Sequence, residues 1–320
     1  MWSGPKALRI YVTGFTVIAG FVALNYGQVA SAAVRPPTES SYYVAPGDTY
    51  SRAQELGCDQ AKFDNSHRVD SFVTLDFGAQ RSDGGGTYLP GSVIFWPNSA
   101  IERYSLRFAY GYQSCRSRHV LIVGIGTSND GAVTDGRLGA DWGTVVAVVA
   151  ADSSRDGYRA VAVQGAIDAE PGFGPFPHFE GWEWGDRSGG GYVSRSKSLI
   201  NDFGSADGCP QNLGIFANEM CGNGWTTKDE YDAVWGWKPN EATPEIYFNG
   251  CHGYARQANQ WADISDYGKH NQRSGKVLFV GPLDQGNCLS ASAAWSDFDA
   301  ALGRDGVSDS MKFSTQMTTR

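Results

Sequence analysis

The chain predicts a single disulfide-bonded α/β domain, an irregular TIM-like (β/α) barrel, and three observations carry that expectation. Short β-branched runs alternate with stretches of helical period, which implies parallel strands covered by helices. The strands are nearly continuous in apolar residues, as in Val120-Leu121-Ile122-Val123, which suits a sheet buried on both faces. Polar residues then stand where several strands end, at Asp76, Thr127, Asp168, Glu170 and Asp202. An open doubly wound sheet meets the first two conditions equally well. The third favours a barrel, because there the C-terminal ends converge on one mouth. Six or seven strands can be counted, so an irregular barrel is expected rather than an ideal one.

Taken in order, the first element is a leader. Lys6 and Arg9 precede an apolar, uncharged run from Ile10 to Leu24, and Ala30-Ser31-Ala32 supplies a small-x-small cleavage site. Residues 1–32 therefore read as a signal peptide, too short in its apolar run for the ~20 residues of a spanning helix. The mature protein is expected to be secreted or held in the cell envelope, outside the cytoplasm, with no membrane attachment. Residues 33–57 are polar, contain Pro36, Pro37 and Pro46, and predict a linker or N-terminal arm. The barrel is expected over 58–303.

Strands are expected at Phe72–Phe77, His119–Gly126, Arg159–Asp168, Ser198–Phe203, Glu245–Phe248 and Lys276–Val280. Helices are expected at Ser99–Tyr112, Arg137–Ala151, Thr227–Trp235, Tyr254–Ser265 and Ala293–Leu302, where apolar residues recur near 3.6. Residues 304–320 read as a polar, mobile tail.

Charge and cysteines narrow the function. The whole chain carries a formal net charge of -8, and the leader removes two basic residues and no acid, so the mature surface is more acidic still. That argues against phosphate-directed binding of nucleic acid. The six cysteines are Cys58, Cys115, Cys209, Cys221, Cys251 and Cys288, all beyond the leader. An even count in an oxidising compartment predicts three disulfides. Cys209–Cys221 would close one Gly/Asn/Pro-rich loop, leaving Cys58–Cys115 and Cys251–Cys288 as the expected partners. Neither these cysteines nor the five histidines show zinc-ligand spacing, so no metal and no cofactor are expected. Gly124-Ile125-Gly126 lacks a third glycine, which removes the dinucleotide reading.

The chemistry concentrates in Gly165-Ala166-Ile167-Asp168-Ala169-Glu170-Pro171. Asp168 and Glu170 lie on one side of a strand, roughly 7 Å apart at their Cα atoms, and Pro171 ends the ladder. Two adjacent carboxylates repel as anions, so one holds a proton near neutrality, which is the pairing used in glycosidic cleavage. The structural alternative gives Asp168 to a turn and Glu170 to a backbone amide or an arginine. Asp76 ends the first apolar strand and forms a third catalytic candidate, or else a turn beside Gly78. Tryptophans form a second signal: Trp182, Trp184, Trp235 and Trp237 could stack on sugar rings, with Tyr247 beside them, although packing explains any single one equally well. The Gly204–Trp225 loop is expected to form a rim.

Leu75-Asp76-Phe77-Gly78 with Asp168-x-Glu170 resembles the layout of lysozyme-type family 25 glycoside hydrolases. Gly-Ala-Ile-Asp-Ala-Glu-Pro, Gly-Ser-Ala-Asp-Gly-Cys-Pro, Cys-Gly-Asn-Gly-Trp and Pro-Glu-Ile-Tyr look closer to secreted, largely uncharacterised glycoside-hydrolase-like barrel proteins, over most of 58–303. The first resemblance implies Glu170 as general acid, assisted by Asp168 and Asp76, with Asp284 at the end of a last strand. The expected partner is a cell-wall or extracellular polysaccharide, peptidoglycan included. The alternative is a non-catalytic glycan-binding or envelope protein on the same barrel.

Overall fold

A computed structural model describes residues 34–130, 136–186, 189–211, 217–237, 240–247, 254–285 and 290–319. The expected leader, and the expected Cys251–Cys288 disulfide, lie outside the described residues.

The chain runs β1 (Glu39–Tyr43), α1 (Tyr50–His67), β2 (Ser71–Gln80), β3 (Gly86–Tyr88), β4 (Phe95–Pro97), α2 (Asn98–Ser114), β5 (Leu121–Ser128) and α3 (Gly136–Arg155). It continues with β6 (Val161–Asp168), α4 (Phe176–Trp184), β7 (Gly185–Asp186), β8 (Gly189–Gly190), α5 (Tyr192–Ser196) and β9 (Ile200–Asp202). After α6 (Thr227–Tyr231) and a π turn over Asp232–Gly236 come β10 (Asn240–Ala242), α7 (Tyr254–Asn271), β11 (Leu283–Asp284), α8 (Ala291–Arg304) and β12 (Thr315–Thr319). No described helix is long and apolar enough to cross a membrane.

The main sheet has strand order β10-β9-β6-β5-β2-β1-β12-β11, and every pair along that path is parallel. The named strands form an open, barrel-like array. Its two ends approach each other through isolated parallel bridges, Ala242 to Phe279 and Glu245 to Leu283. Across them the Ile246 amide donates to Leu283 O at 2.8 Å and the Val280 amide to Ala242 O at 2.8 Å. Ala166, Phe203, Leu283 and Met317 meet in one small apolar cluster, with Tyr43 packed on it. Side chains from β6, β11 and β12 can share a cluster only if the array curves round an interior.

Two expectations are overturned. The stretch read as an export linker supplies β1, which pairs with both β2 and β12, and the first turns of α1. The stretch read as a mobile tail supplies β12, paired with β1 and β11. Both strands are polar because their inward side chains satisfy one another: Ser41 Oγ lies 2.9 Å from Thr315 Oγ1 and accepts the Thr74 amide at 2.8 Å. Hydroxyls paired this way are buried at little cost.

The helices cover the outer face of the strands. α1 starts at Thr49, whose side chain accepts the Arg52 amide, and ends at Arg68 in the left-handed region. α1 and α2 touch backbone to backbone, since a Cβ at Gly57 would sit 2.0 Å from Phe108 O and one at Gly111 2.0 Å from Gln54 O. The disulfide Cys58–Cys115 joins the same two helices. A second disulfide, Cys209–Cys221, staples the loop after β9. Both pairings match the expected partners.

β2 does more than a barrel strand requires. Its register with β5 shifts between Asp76 and Ala79, and it then pairs antiparallel with β3, which in turn pairs with β4. Gly78 (φ 75) makes the bend possible, because a Cβ there would lie 2.3 Å from Tyr88 O. A three-stranded antiparallel flap therefore stands beyond the C-terminal edge of the parallel array.

Candidate functional site

The parallel register sets the site. Tyr43 pairs with Asp76, Ser128 with Asp168, and Asp202 with both Ile167 and Ala242. The strand ends thus bring Tyr43, Asp76, Asp168 and Asp202 to one edge. Glu170 follows two residues after Asp168, and Glu245 follows β10 at its bridge to Leu283. Asp168, Glu170 and Glu245 each place a carboxylate oxygen within 4.8 Å of the others. Glu245 is completely buried and Glu170 is 7% exposed. A divalent cation could be bridged by this trio if all three were ionised.

The pair is held by a framework of short contacts. Asn129 clasps the backbone of Glu170, its Oδ1 accepting the amide and its Nδ2 donating to the carbonyl, both at 3.1 Å. Asp202 Oδ1 accepts the amides of Ala169 (3.3 Å) and Gly204 (2.9 Å), so one carboxylate ties the residue between the pair to the next strand's loop. Ser205, at the start of that loop, donates its amide to Glu170 Oε1 at 3.2 Å. Gln285 Nε2 donates to Tyr43 Oη (2.6 Å) and to Glu245 Oε1 (2.8 Å). Asp76 Oδ1 accepts the Gly78 amide at 2.9 Å. Asp168 Oδ1 is buried with no hydrogen-bond partner among the described residues.

Burial and mutual repulsion dominate the electrostatics. Burial raises Asp76 to about 6, against the stabilising Gly78 amide. It raises Asp202 to about 7, against the amides of Gly204 and Ala169. Burial and then the charges of Glu245, Glu170 and Asp76 hold Asp168 well above the usual carboxylate range. Glu245 is raised well above it by burial and then by Glu170. Glu170 is also raised by burial, but the hydroxyl and amide of Ser205 pull it back towards ionisation. The Tyr43 phenol is raised by burial first, and that of Tyr247 by the charge of Glu245 first. The trio titrates as a unit that resists full ionisation.

A cleft of about 1300 Å³ opens onto this edge, lined by Tyr43, Asp76, Asp168, Ser128 and Phe173 on the barrel side and by the flap from Gly78 to Ile94. The described stretches of the stapled loop pack against the turn after Glu170. Asn223 Nδ2 donates to Pro171 O (2.6 Å) and Trp225 Nε1 to Gly174 O (2.7 Å).

The tryptophan expectation fares differently. Trp182 is fully buried, stacked on Tyr192 at 5.5 Å, and donates Nε1–H to Gln80 Oε1 at 2.7 Å. Its face is closed to any ligand, and packing is its role. Trp184 is exposed and meets Trp237 edge-on, Trp237 packs on Phe176, and Trp235 Nε1 donates to Ser274 O. These three stand apart from the residues that line the cleft. Aromatic surface at the cleft comes instead from Tyr43, Tyr88 and Phe173. Tyr247 sits beside the trio through Glu245. Asp284 lies buried at the end of β11, accepting Gln316 Nε2 at 3.4 Å.

Sequence reasoning brought Asp76, Asp168 and Glu170 to one mouth, and the structure places them there. It gave no site role to Glu245, Tyr43, Asn129, Ser205 or Gln285. Glu245 had one available signal, a carboxylate between Pro244 and an apolar run. Tyr43 had none, lying in a stretch read as a linker. No protein-family model, curated protein or solved structure matches the chain.

Proposed function

We propose that the protein is a glycoside hydrolase acting on cell-wall or extracellular polysaccharide, and that its parallel array closes as an irregular (β/α) barrel. The bridges between Ala242 and Phe279 and between Glu245 and Leu283 support closure. The observation that carries the functional reading is the carboxylate trio Asp168, Glu170 and Glu245, whose member Asp168 lines an open cleft. Buried carboxylates that resist joint ionisation supply a protonated acid beside a charged one, as glycosidic cleavage needs. Two disulfides support action in an oxidising compartment outside the cytoplasm.

The roles within the pair follow from the donors. Ser205 stabilises the ionised form of Glu170, whereas no described group donates to Asp168 Oδ1. Asp168 therefore keeps the proton and delivers it to the leaving oxygen. Glu170 stays charged and supports the oxocarbenium-like state. This reverses the roles that the family resemblance implied. One oxygen of each carboxylate lying within 4.8 Å of the others is nearer the ≈ 5–5.5 Å carboxyl separation of retaining enzymes than the ≈ 6.5–9.5 Å of inverting ones, and this favours the retaining route.

The test is sugar release from purified peptidoglycan and a polysaccharide panel by wild type, Asp168→Asn and Glu170→Ala. Either substitution is expected to reduce release by about 10²–10⁴-fold. On an aryl glycoside with a good leaving group, Asp168→Asn should retain activity, and azide should rescue Glu170→Ala. The opposite pattern returns the proton to Glu170. A wild type that binds a glycan but releases nothing sinks the hydrolase reading and leaves the binding-protein alternative.

A further inference from the structure

The flap on β2 is not needed to close the barrel or to hold the carboxylates, yet it is built as a fixed wall. The Trp96 ring packs against Phe77 at 6.2 Å and Tyr104 at 5.6 Å. The guanidinium of Arg81 lies 4.2 Å over the Phe95 ring. Arg137 donates to Asp83 O (2.9 Å) and Ser82 O (3.0 Å), tying the flap's first turn to α3. At the tip the Leu89 amide donates to Ile94 O and the Ser92 amide to Leu89 O, both at 3.0 Å. The base is thus anchored by aromatic packing, and the tip is a hydrogen-bonded turn.

What the tip presents is hydrocarbon. Val93 is 90% exposed, Ile94 44% and Tyr88 40%, and all three line the same cleft as Asp76 and Asp168. Phe173, 40% exposed on the turn just after Glu170, lines it too. Exposed apolar residues gathered on one fixed element mark a contact surface rather than random exposure. The cleft's volume of about 1300 Å³ also exceeds the ≈ 300–1,000 Å³ of a typical small-ligand pocket. It extends well past the space that one sugar at the carboxylates would fill.

The two kinds of apolar residue suit two parts of one ligand. Tyr88 and Phe173 offer ring faces on which a sugar can stack. Val93 and Ile94 have no such face and are matched by an alkyl or acyl chain. We propose, resting on the hydrolase reading, that the cleft takes an amphiphilic glycan. Its sugar lies at Asp168 and Glu170, and an alkyl or acyl substituent lies along the flap tip formed by Val93 and Ile94. Continuity with the carboxylate site commits the surface to substrate, since Val93 and Ile94 line one cavity with Asp76 and Asp168.

The experiment is calorimetric titration of full-length mature Glu170→Gln protein with methyl, hexyl and octyl glycosides of glucose, N-acetylglucosamine, galactose and mannose, below their micelle concentrations. Using an inactive background separates this inference from hydrolysis. If sugar release fails while chain-length dependence holds, the hydrolase reading falls and the subsite stands. At least one head group should bind tighter as the chain grows, by up to about fourfold per buried methylene. Adding Val93→Ser with Ile94→Ser should bring octyl and methyl glycosides to equal affinity. Both positions are exposed, and circular dichroism checks that the variant folds. Equal affinity for methyl and octyl glycosides in the unaltered flap, no binding of any alkyl glycoside, or a chain-length gain that survives the flap change would each overturn the proposal. So would loss of phosphatidylcholine vesicle binding on the flap change with no chain-length gain to lose, because the tip would then contact a membrane.

Discussion

Replacing Asp202 by asparagine should improve stability relative to wild type as pH rises from acid to alkaline. In the unfolded chain the Asp202 carboxyl ionises at its ordinary value of 3.8, but in the fold only at about 7. Between those values the folded state binds more protons than the unfolded state, so stability falls as pH rises through the window. A separation of about 3 units is worth roughly 4 kcal/mol above pH 7, of which about 3 kcal/mol accrues between pH 5 and pH 8. Asparagine keeps the oxygen that accepts the Ala169 and Gly204 amides and removes the titration. Its buried amide group lacks an assured partner, at a cost of about 1–3 kcal/mol that does not vary with pH. Urea unfolding followed by tryptophan fluorescence at pH 5, 6.5 and 8 measures the gap. The variant should gain on the wild type by about 3 kcal/mol from pH 5 to pH 8. A gap that is the same at both ends, or that moves the other way, refutes the assignment of Asp202 as a buried, reluctantly ionised acid.

Glu245→Gln removes a competitor for the charge shared with Asp168 and Glu170. The basic limb of the activity profile should therefore move to lower pH, and an unmoved limb would exclude Glu245 from the trio. Replacing both Cys209 and Cys221 by serine opens a 12-residue loop and should cost about 3 kcal/mol in chemical unfolding. The same change at Cys58 and Cys115, 57 residues apart, should cost about 4 kcal/mol. Trp182→Ala should lower stability by about 3–5 kcal/mol, while Trp184→Ala should stay within about 0.5 kcal/mol of wild type. Similar losses at both positions would contradict their burial.

What the sequence disclosed follows the physics of each element. α2, α3 and α8 bury aliphatic and aromatic residues at helical spacing, and the expected helices over 99–112, 137–151 and 293–302 fall inside them. β2, β5 and β6 are apolar on both faces, so their runs stand out without alternation. α1 hides because two of its buried positions, Gln60 and Asp64, are polar and the others are mostly small. Gln60 Nε2 donates to Asp64 Oδ1 and to Ser71 Oγ, and Tyr112 Oη donates to Asp64 Oδ2. A domain boundary expected at residue 58 consequently cuts that helix in two. β1 and β12 hide for a different reason, since Ser41 and Thr315 are satisfied by a partner 274 residues away. The carboxylate pair was legible because Pro171 marks the end of its strand. Glu245 was not, because isolated bridges rather than a run of strand residues bring it to the site.

Buried acids alone do not define the site, and the protein supplies its own controls. Glu39 is buried and raised well above its usual range, yet it accepts the Phe72 amide at 2.9 Å, at the N-terminal end of β2. Glu183 and Glu230 are completely buried and similarly raised, and neither lines the cleft. An acid held out of water weakens the fold at neutral pH whatever its purpose, so burial by itself cannot separate chemistry from packing. Access does separate them. Asp76 and Asp168 are raised like the others but reach a cavity large enough for a ligand, and Glu170 and Glu245 join them through carboxylate oxygens within 4.8 Å of Asp168. Glu183→Gln should thus relieve alkaline instability without touching turnover, whereas Asp168→Asn should relieve it and abolish turnover on substrates with poor leaving groups. If Glu183→Gln also shifted the activity profile, its proton would be coupled to the trio, and the site would extend behind β9.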